Sequence, residues 1–196
     1  DAGVHALAQV AAFSIENPIP TANLKRAMNR LLPPAIRVTG ADETAADFHP
    51  RYHALAKTYE YRIFLGEVCS PFERPYVHHY PYPMDAGAFL DAAPLMEGEH
   101  DFAAFAAADE KDAMGMSKVR RIYSSRAEVQ GERLIYRVRG GGFLKHMVRN
   151  IVGVLLEAGK GNIDSDGILR LLTPGPGVRA GPTAPARGLF LVSVEY

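Results

Sequence analysis

Apolar and polar side chains alternate most regularly over Lys57–Leu65. Lys57, Tyr59, Tyr61, Ile63 and Leu65 fall on one side, and Thr58, Glu60, Arg62 and Phe64 on the other. A period of two is the mark of a strand. Val119–Val129 and Arg133–Arg139 read as the two arms of a hairpin around Gln130-Gly131. In the second arm Leu134, Tyr136 and Val138 face one way, and Arg133, Arg137 and Arg139 the other. Helical spacing appears twice. Over Thr21–Leu32 the residues Leu24, Ala27, Met28 and Leu31 share a face, Thr21 can cap, and Pro33-Pro34 stops the helix. After the break Gly140-Gly141-Gly142, a second helix is expected from Phe143 to about Ala158, ended by Gly159 and Gly161. Its apolar residues cover a wide arc, so most of its circumference should be buried.

The remaining segments are less regular. Leu7–Ile15 is apolar and short, and its periodicity does not choose between a buried strand and an Ala-rich helix. Ile36–Thr39 reads as a short strand, Cys69–Pro83 as an irregular covered loop, and Asp85–Met96 as a short helix broken near Pro94. A small helix near Ile168–Leu172 and a Pro/Gly-rich loop precede a last strand, Leu189–Glu195. No internal repeat or low-complexity tract is visible. Strands, a hairpin and a few helices together predict an α+β fold with a largely antiparallel sheet.

Composition changes this picture little. With 196 residues, 47% hydrophobic and 22% charged, the chain is long enough for one large domain or two small ones. Its longest apolar runs fall short of the roughly 20 residues of a membrane helix, and no basic leader with an apolar core opens it. Cys69 stands alone, which excludes a disulfide framework and a multi-cysteine zinc site and makes a reducing, cytoplasmic setting the expectation. Because Asp1 is not preceded by an initiator Met, the natural N-terminus is expected upstream.

Charge changes it more. The net charge is zero, which argues against a uniformly basic binder, but the signs are segregated. Asp85–Asp112 holds eight acids (Asp85, Asp91, Glu97, Glu99, Asp101, Asp109, Glu110, Asp112) and one base, Lys111. Lys118–Arg149 holds nine bases and only two acids, Glu128 and Glu132. Such asymmetry suits a localised polyanion-binding face, and equally an acidic helix and a basic hairpin that merely solvate the surface.

Several chemical motifs fail on inspection. The triple glycine resembles a phosphate loop but lacks the Gly-Lys-Ser/Thr ending, so it reads as a flexible junction. His78-His79 would point to opposite faces of a strand with no third ligand spaced to join them, leaving a structural or surface role. Cys69 has no base beside it and reads as an inert buried thiol. A hydrolase using His49 or His53 as base has no Ser or Cys nucleophile motif to serve. Arg149 is different: it sits at the edge of the apolar arc, near Leu156 and Gly153, and a largely buried guanidinium needs an anionic partner. That partner is either a structural acid or a carboxylate nucleophile that Arg149 orients and favours in its charged form.

Four stretches carry a resemblance. Asp1-Ala2-Gly3-Val4-His5-Ala6 resembles the signature loop of the tRNA pseudouridine synthase A family, in which the Asp is catalytic. Phe48-His49-Pro50-Arg51 leading to Lys57-Thr58-Tyr59-Glu60-Tyr61 is similar to the motif bearing the active-site Tyr. Gly142–Gly153, which includes Lys145-His146-Met147-Val148-Arg149-Asn150, is similar to the helix with the Asp-pairing Arg. Ala184-Pro185-Ala186-Arg187-Gly188-Leu189-Phe190-Leu191 and Val194-Glu195-Tyr196 resemble the closing strand. Members also carry Gly-Arg-Thr directly before the Asp and some tens of residues ahead of it.

The resemblance implies isomerisation of uridine to pseudouridine in the anticodon stem-loop of tRNA, in the cytoplasm, by a homodimer, with no cofactor and no metal. Asp1 would be the nucleophile and Arg149 its partner. Tyr59 would stack on the extruded uracil, and Lys145, His146, Arg133, Arg137 and Arg139, with Lys118, Arg120 and Arg121, would bind RNA. The implied fold is two ferredoxin-like halves sharing a mostly antiparallel sheet with a central RNA-binding cleft. Residues 1–46 would be the remainder of the first half and residues 47–196 the second. The rival from another class is a non-catalytic RNA-binding domain with a ferredoxin-like sheet, which has no use for a carboxylate facing an Arg.

Overall fold

The computed structural model describes residues 1–108, 115–175 and 177–196. By packing, the chain falls into two compact units: Val10–His53, and Asp1–Gln9 together with Ala54–Tyr196.

The smaller unit contains one helix, α1 (Thr21–Leu31). Pro20 occupies its cap position and no side chain caps it, so Thr21 is the first helical residue rather than the expected cap. The carbonyl of Pro20 accepts the first regular helical bond, from the Leu24 N–H (3.0 Å), and also one from the Asn23 N–H (2.8 Å), which satisfies one of the free donors at the helix start. Leu24, Ala27 and Met28 are half-buried, whereas Leu31 is exposed and does not join them. Leu32 is extended ahead of Pro33, as the residue before a proline must be. The strand expected at Ile36–Thr39 does not form. The Asn29 side chain accepts from the Val38 N–H (2.8 Å) and donates to its carbonyl (2.9 Å), replacing the partner a strand would need.

The larger unit is built on a seven-stranded sheet. Its strands are β1 (His5–Ala6), β2 (Ala56–Phe64), β3 (His78–His79), β4 (Gly98–Asp101), β5 (Val119–Gln130), β6 (Arg133–Gly140) and β7 (Leu189–Glu195). The order is β1-β7-β2-β6-β5-β4, with β3 added beside β2. All pairings from β7 to β4 are antiparallel, and only the two-residue strands β1 and β3 pair in parallel. At the start of the apolar stretch Leu7–Ile15, the Leu7 N–H continues the sheet by a hydrogen bond to the Leu191 carbonyl (2.8 Å). The hairpin closes one residue later than expected: Gln130 pairs with Arg133, and Gly131 turns the chain at a positive φ of 60°.

Helices α2 (Ala86–Ala92), α3 (Met147–Gly159) and α4 (Ser165–Leu171) belong to this unit. Asp85 and Asp164 cap α2 and α4 through the N–H groups of Ala88 and Gly167, and Pro94 turns the end of α2 into a 3-10 turn. α3 starts four residues later than its apolar pattern predicts. His146 sits at its N-terminus in the left-handed conformation (φ 62°), so Phe143–Lys145 cannot continue the helix and pack as a loop. Tyr61, Ile63, Leu134, Tyr136 and Val138 from the sheet form one core with Phe89 of α2 and Ile151 and Leu155 of α3. Burying each such large side chain contributes roughly 1.5–3 kcal/mol. Cys69 is half-buried rather than buried. Among the described residues no helix is long and apolar enough to cross a membrane.

Candidate active site

Asp1–Val4 forms a turn, with the Val4 N–H donating to the Asp1 carbonyl (3.4 Å), and β1 then ties this turn to β7. Arg149 lies in the first turn of α3 with its side chain only 15% exposed. Its Nη1 donates to Asp1 Oδ2 at 3.2 Å, and its Nε donates to the Ala184 carbonyl at 2.7 Å. The guanidinium therefore spans a carboxylate and a backbone carbonyl with two different nitrogens, which fixes its plane. His146 Nε2 is 3.5 Å from the same Asp1 oxygen. Burial, and after it the charges of Arg149 and Lys145, lower the His146 pKa, which favours the uncharged ring. Lys145 is tied elsewhere: its Nζ donates to the Ala108 carbonyl (3.2 Å), and its own carbonyl accepts from the Ala107 N–H.

Tyr59 and Tyr61 sit on the face of β2 that packs toward α3. Tyr59 is half-buried, with its ring edge-on to Phe143 (centroids 5.0 Å apart), and burial raises its hydroxyl pKa. Tyr61 is fully buried and donates to the Pro185 carbonyl at 2.8 Å. Burial raises its pKa, and the nearby charges of Arg149 and Arg187 pull the other way. Sequence alone marks Tyr61 only as a strand residue, because nothing local shows that its hydroxyl reaches the segment leading into β7.

The three arginines of β6 are not gathered with these groups. They project from the opposite face of the sheet, and each is paired with carboxylates. Arg133 binds Glu73 through two nitrogens (2.7 and 2.9 Å), Arg139 binds Glu195 in the same way (2.8 and 2.6 Å), and Arg137 contacts Glu60 (2.7 Å) and Glu128 (3.3 Å). Glu60 is only 7% exposed; burial pushes its carboxyl up, and hydrogen bonds from Arg62 and Arg137 more than offset that, leaving the pKa lowered. This face also holds a hollow of about 250 Å³ lined by Glu60, Arg62, Glu73, Tyr76 and Arg133. The partners come from β2, β5, β7 and the loop before β3; Glu128 lies on the other arm of the same hairpin, whereas Glu60, Glu73 and Glu195 are far from their arginines in the chain, so no local pattern announced them.

The segregation of charge along the chain is thus partly cancelled in space, since Arg126 of the basic hairpin also pairs with Glu97 of the acidic segment. Asp109, Glu110, Lys111 and Asp112 lie outside the described residues. Arg120 donates to the carbonyls of Ser117 and Val119 (2.8 and 2.6 Å). His78 and His79 do turn to different neighbours, His78 to Tyr61 and Tyr80 and His79 to Phe64, and no metal-holding group of three is found among the described residues.

The larger unit thus brings together a carboxylate, the arginine that holds it, and a sheet that presents two tyrosines toward the same helix. Comparison with known proteins gives the family. Residues 92–196 match the family model described as tRNA pseudouridine synthase. Over its full length the chain is 65% identical to the tRNA pseudouridine synthase A of Solibacter usitatus (strain Ellin6076), covering 79% of that protein. It is 40% identical to that of Limosilactobacillus fermentum, covering 76%, and 39% identical to the tRNA pseudouridine synthase A 1 of Bacillus cereus (strain ATCC 10987 / NRS 248), covering 78%. The chain belongs to the tRNA pseudouridine synthase A family.

Proposed function

We infer that this protein isomerises uridine to pseudouridine in tRNA, with Asp1 as the nucleophile and the anticodon stem-loop as the region modified. The reaction breaks an N-glycosidic bond, turns the base and rejoins it through carbon. It involves no redox change and no net water, so a side-chain nucleophile suffices and no cofactor is required. Asp1 attacks either the ribose anomeric carbon or the uracil ring. Arg149 holds its carboxylate in place, Tyr59 stacks on the extruded base, and His146 and Lys145 contact the RNA beside it. Phosphate binding by Arg133, Arg137 and Arg139 belongs to this reading only as an exchange, each arginine giving up a carboxylate for a phosphate. A homodimer of two ferredoxin-like halves (residues 1–46 continuing the first, 47–196 forming the second) working in the cytoplasm goes with it.

The observation that carries the reading is the contact between Asp1 and Arg149 at 3.2 Å. The test is Asp1→Asn, which keeps the shape and removes the nucleophile. Pseudouridine formation should vanish while tRNA affinity stays within several-fold of the parent. Turnover retained by this variant would remove Asp1 from the nucleophile role.

A further inference from the structure

We propose that the segment Pro182–Ala184, pinned to α3 by a hydrogen bond between Thr183 and Asn150, is a positioning element that sets the aim of Arg149. The proposal rests on the role given to Arg149 above, and deepens it. Three contacts hold the segment against one side of α3. Thr183 Oγ1 donates to Asn150 Oδ1 at 2.6 Å. The Ala184 N–H donates to the Arg149 carbonyl at 3.1 Å, and the Arg149 Nε donates back to the Ala184 carbonyl at 2.7 Å. One helical turn beyond Arg149, the Pro182 carbonyl comes so close to Gly153 that a Cβ there would lie 1.8 Å from its oxygen. No side chain fits in that space, so the glycine is what lets the segment approach.

The same asparagine reaches a second loop. Asn150 is 8% exposed, and its Nδ2 donates to the Phe105 carbonyl at 2.6 Å. The Ala104 carbonyl of that loop accepts from the Ala180 N–H at 2.9 Å, and its Ala107 N–H donates to the Lys145 carbonyl at 2.9 Å. One buried amide therefore joins the segment that holds the Arg149 guanidinium to the loop that holds the residue before His146. Both neighbours of the Asp1 carboxylate take their positions from it. A network of this kind in a low-dielectric interior keeps its geometry only when every member is satisfied.

Removing the Thr183 hydroxyl should let Ala184 drift and the guanidinium with it. Misplacement on the ångström scale costs about ten- to a hundredfold in rate. The experiment compares Thr183→Val with Thr183→Ser in the full chain, by two readings. One is kcat and KM for tRNA pseudouridylation. The other is the ¹H–¹⁵N signal of the Arg149 Nε–H, assigned by its absence in Arg149→Lys, with its rate of hydrogen exchange. Thr183→Val should lower kcat by about ten- to a hundredfold with KM within about twofold, and should shift the Nε–H signal and speed its exchange. Thr183→Ser, which keeps the hydroxyl, should restore both. Should the valine variant not fold, Thr183→Ala removes the same hydroxyl and is read in its place. An unmoved Arg149 signal, an unchanged kcat, or equal loss in the serine variant would overturn the proposal. Because the signal is measured without substrate, a failure of this proposal is distinct from a failure of the Asp1 assignment.

Discussion

Replacing Arg149 by lysine keeps the positive charge and removes the fork. In the native site Nη1 serves Asp1 Oδ2 at 3.2 Å, while Nε serves the Ala184 carbonyl at 2.7 Å. A single ammonium cannot occupy both positions, so one acceptor loses its donor. Ala184 is only 4% exposed and the arginine side chain 15%, so water compensates poorly. A hydrogen bond from a charged donor contributes about 1.5–3 kcal/mol. If the ammonium stays with Ala184, that loss falls on Asp1 and, expressed wholly in the transition state, slows the chemistry roughly 10- to 150-fold. If it moves to Asp1, the loss falls on Ala184 and appears as lower stability. The two outcomes separate in a pair of measurements. Rate is read in a single turnover with tRNA carrying tritium at uridine C5, since that hydrogen leaves when C5 becomes the glycosidic carbon. Stability is read from the urea midpoint. A lysine variant within about twofold of the parent rate and with an unmoved midpoint would refute the two-acceptor account of Arg149.

Other expectations follow from the same geometry. Tyr59→Phe should slow catalysis more than it weakens tRNA binding if the hydroxyl acts, and Tyr59→Leu should lose in addition the stacking, about 1–3 kcal/mol of affinity; parent-like kinetics in both would make Tyr59 a packing residue. The folded Glu60 carboxyl is lowered, so the unfolded chain binds more protons in the acid range and this group's stabilisation is present above the ordinary carboxylate pKa and lost as pH falls. The gap in urea midpoint between the parent and Glu60→Gln should accordingly be wide at neutral pH and shrink below about pH 4; a gap constant with pH would disprove it. For Arg137 and Arg139, replacement of both by Gln should flatten the log–log salt dependence of tRNA binding by roughly 0.7–0.9 for each phosphate that is no longer neutralised, and an unchanged slope would leave them as partners of Glu60 and Glu195 alone.

The elements legible in the sequence are those whose pattern is local and longer than a few residues. β2, the two arms of the hairpin, β7 and the body of α3 were all readable, because a side chain's face in a strand or helix depends only on its spacing from its neighbours. That Arg149 needs an anionic partner could also be read, since a near-buried guanidinium demands an anion whatever the fold; that Asp1 is this partner was implied only by the resemblance of the two stretches, and the fold sets the two groups 3.2 Å apart. Other features depended on partners distant along the chain. β1 and β3 are strands only because β7 and β2 offer them an edge, and Ile36–Thr39 is not one because the Asn29 side chain takes its backbone groups. The late start of α3 depends on His146 being held left-handed, a strain that spacing cannot report. Arg133, Arg137 and Arg139 looked like a free basic stripe until Glu60, Glu128 and Glu195 were brought to them by pairing across strands and Glu73 by the loop before β3. Periodicity is a property of neighbours in the chain and survives in the sequence; the partner of a charge is a neighbour in space, and only the folded sheet chooses it.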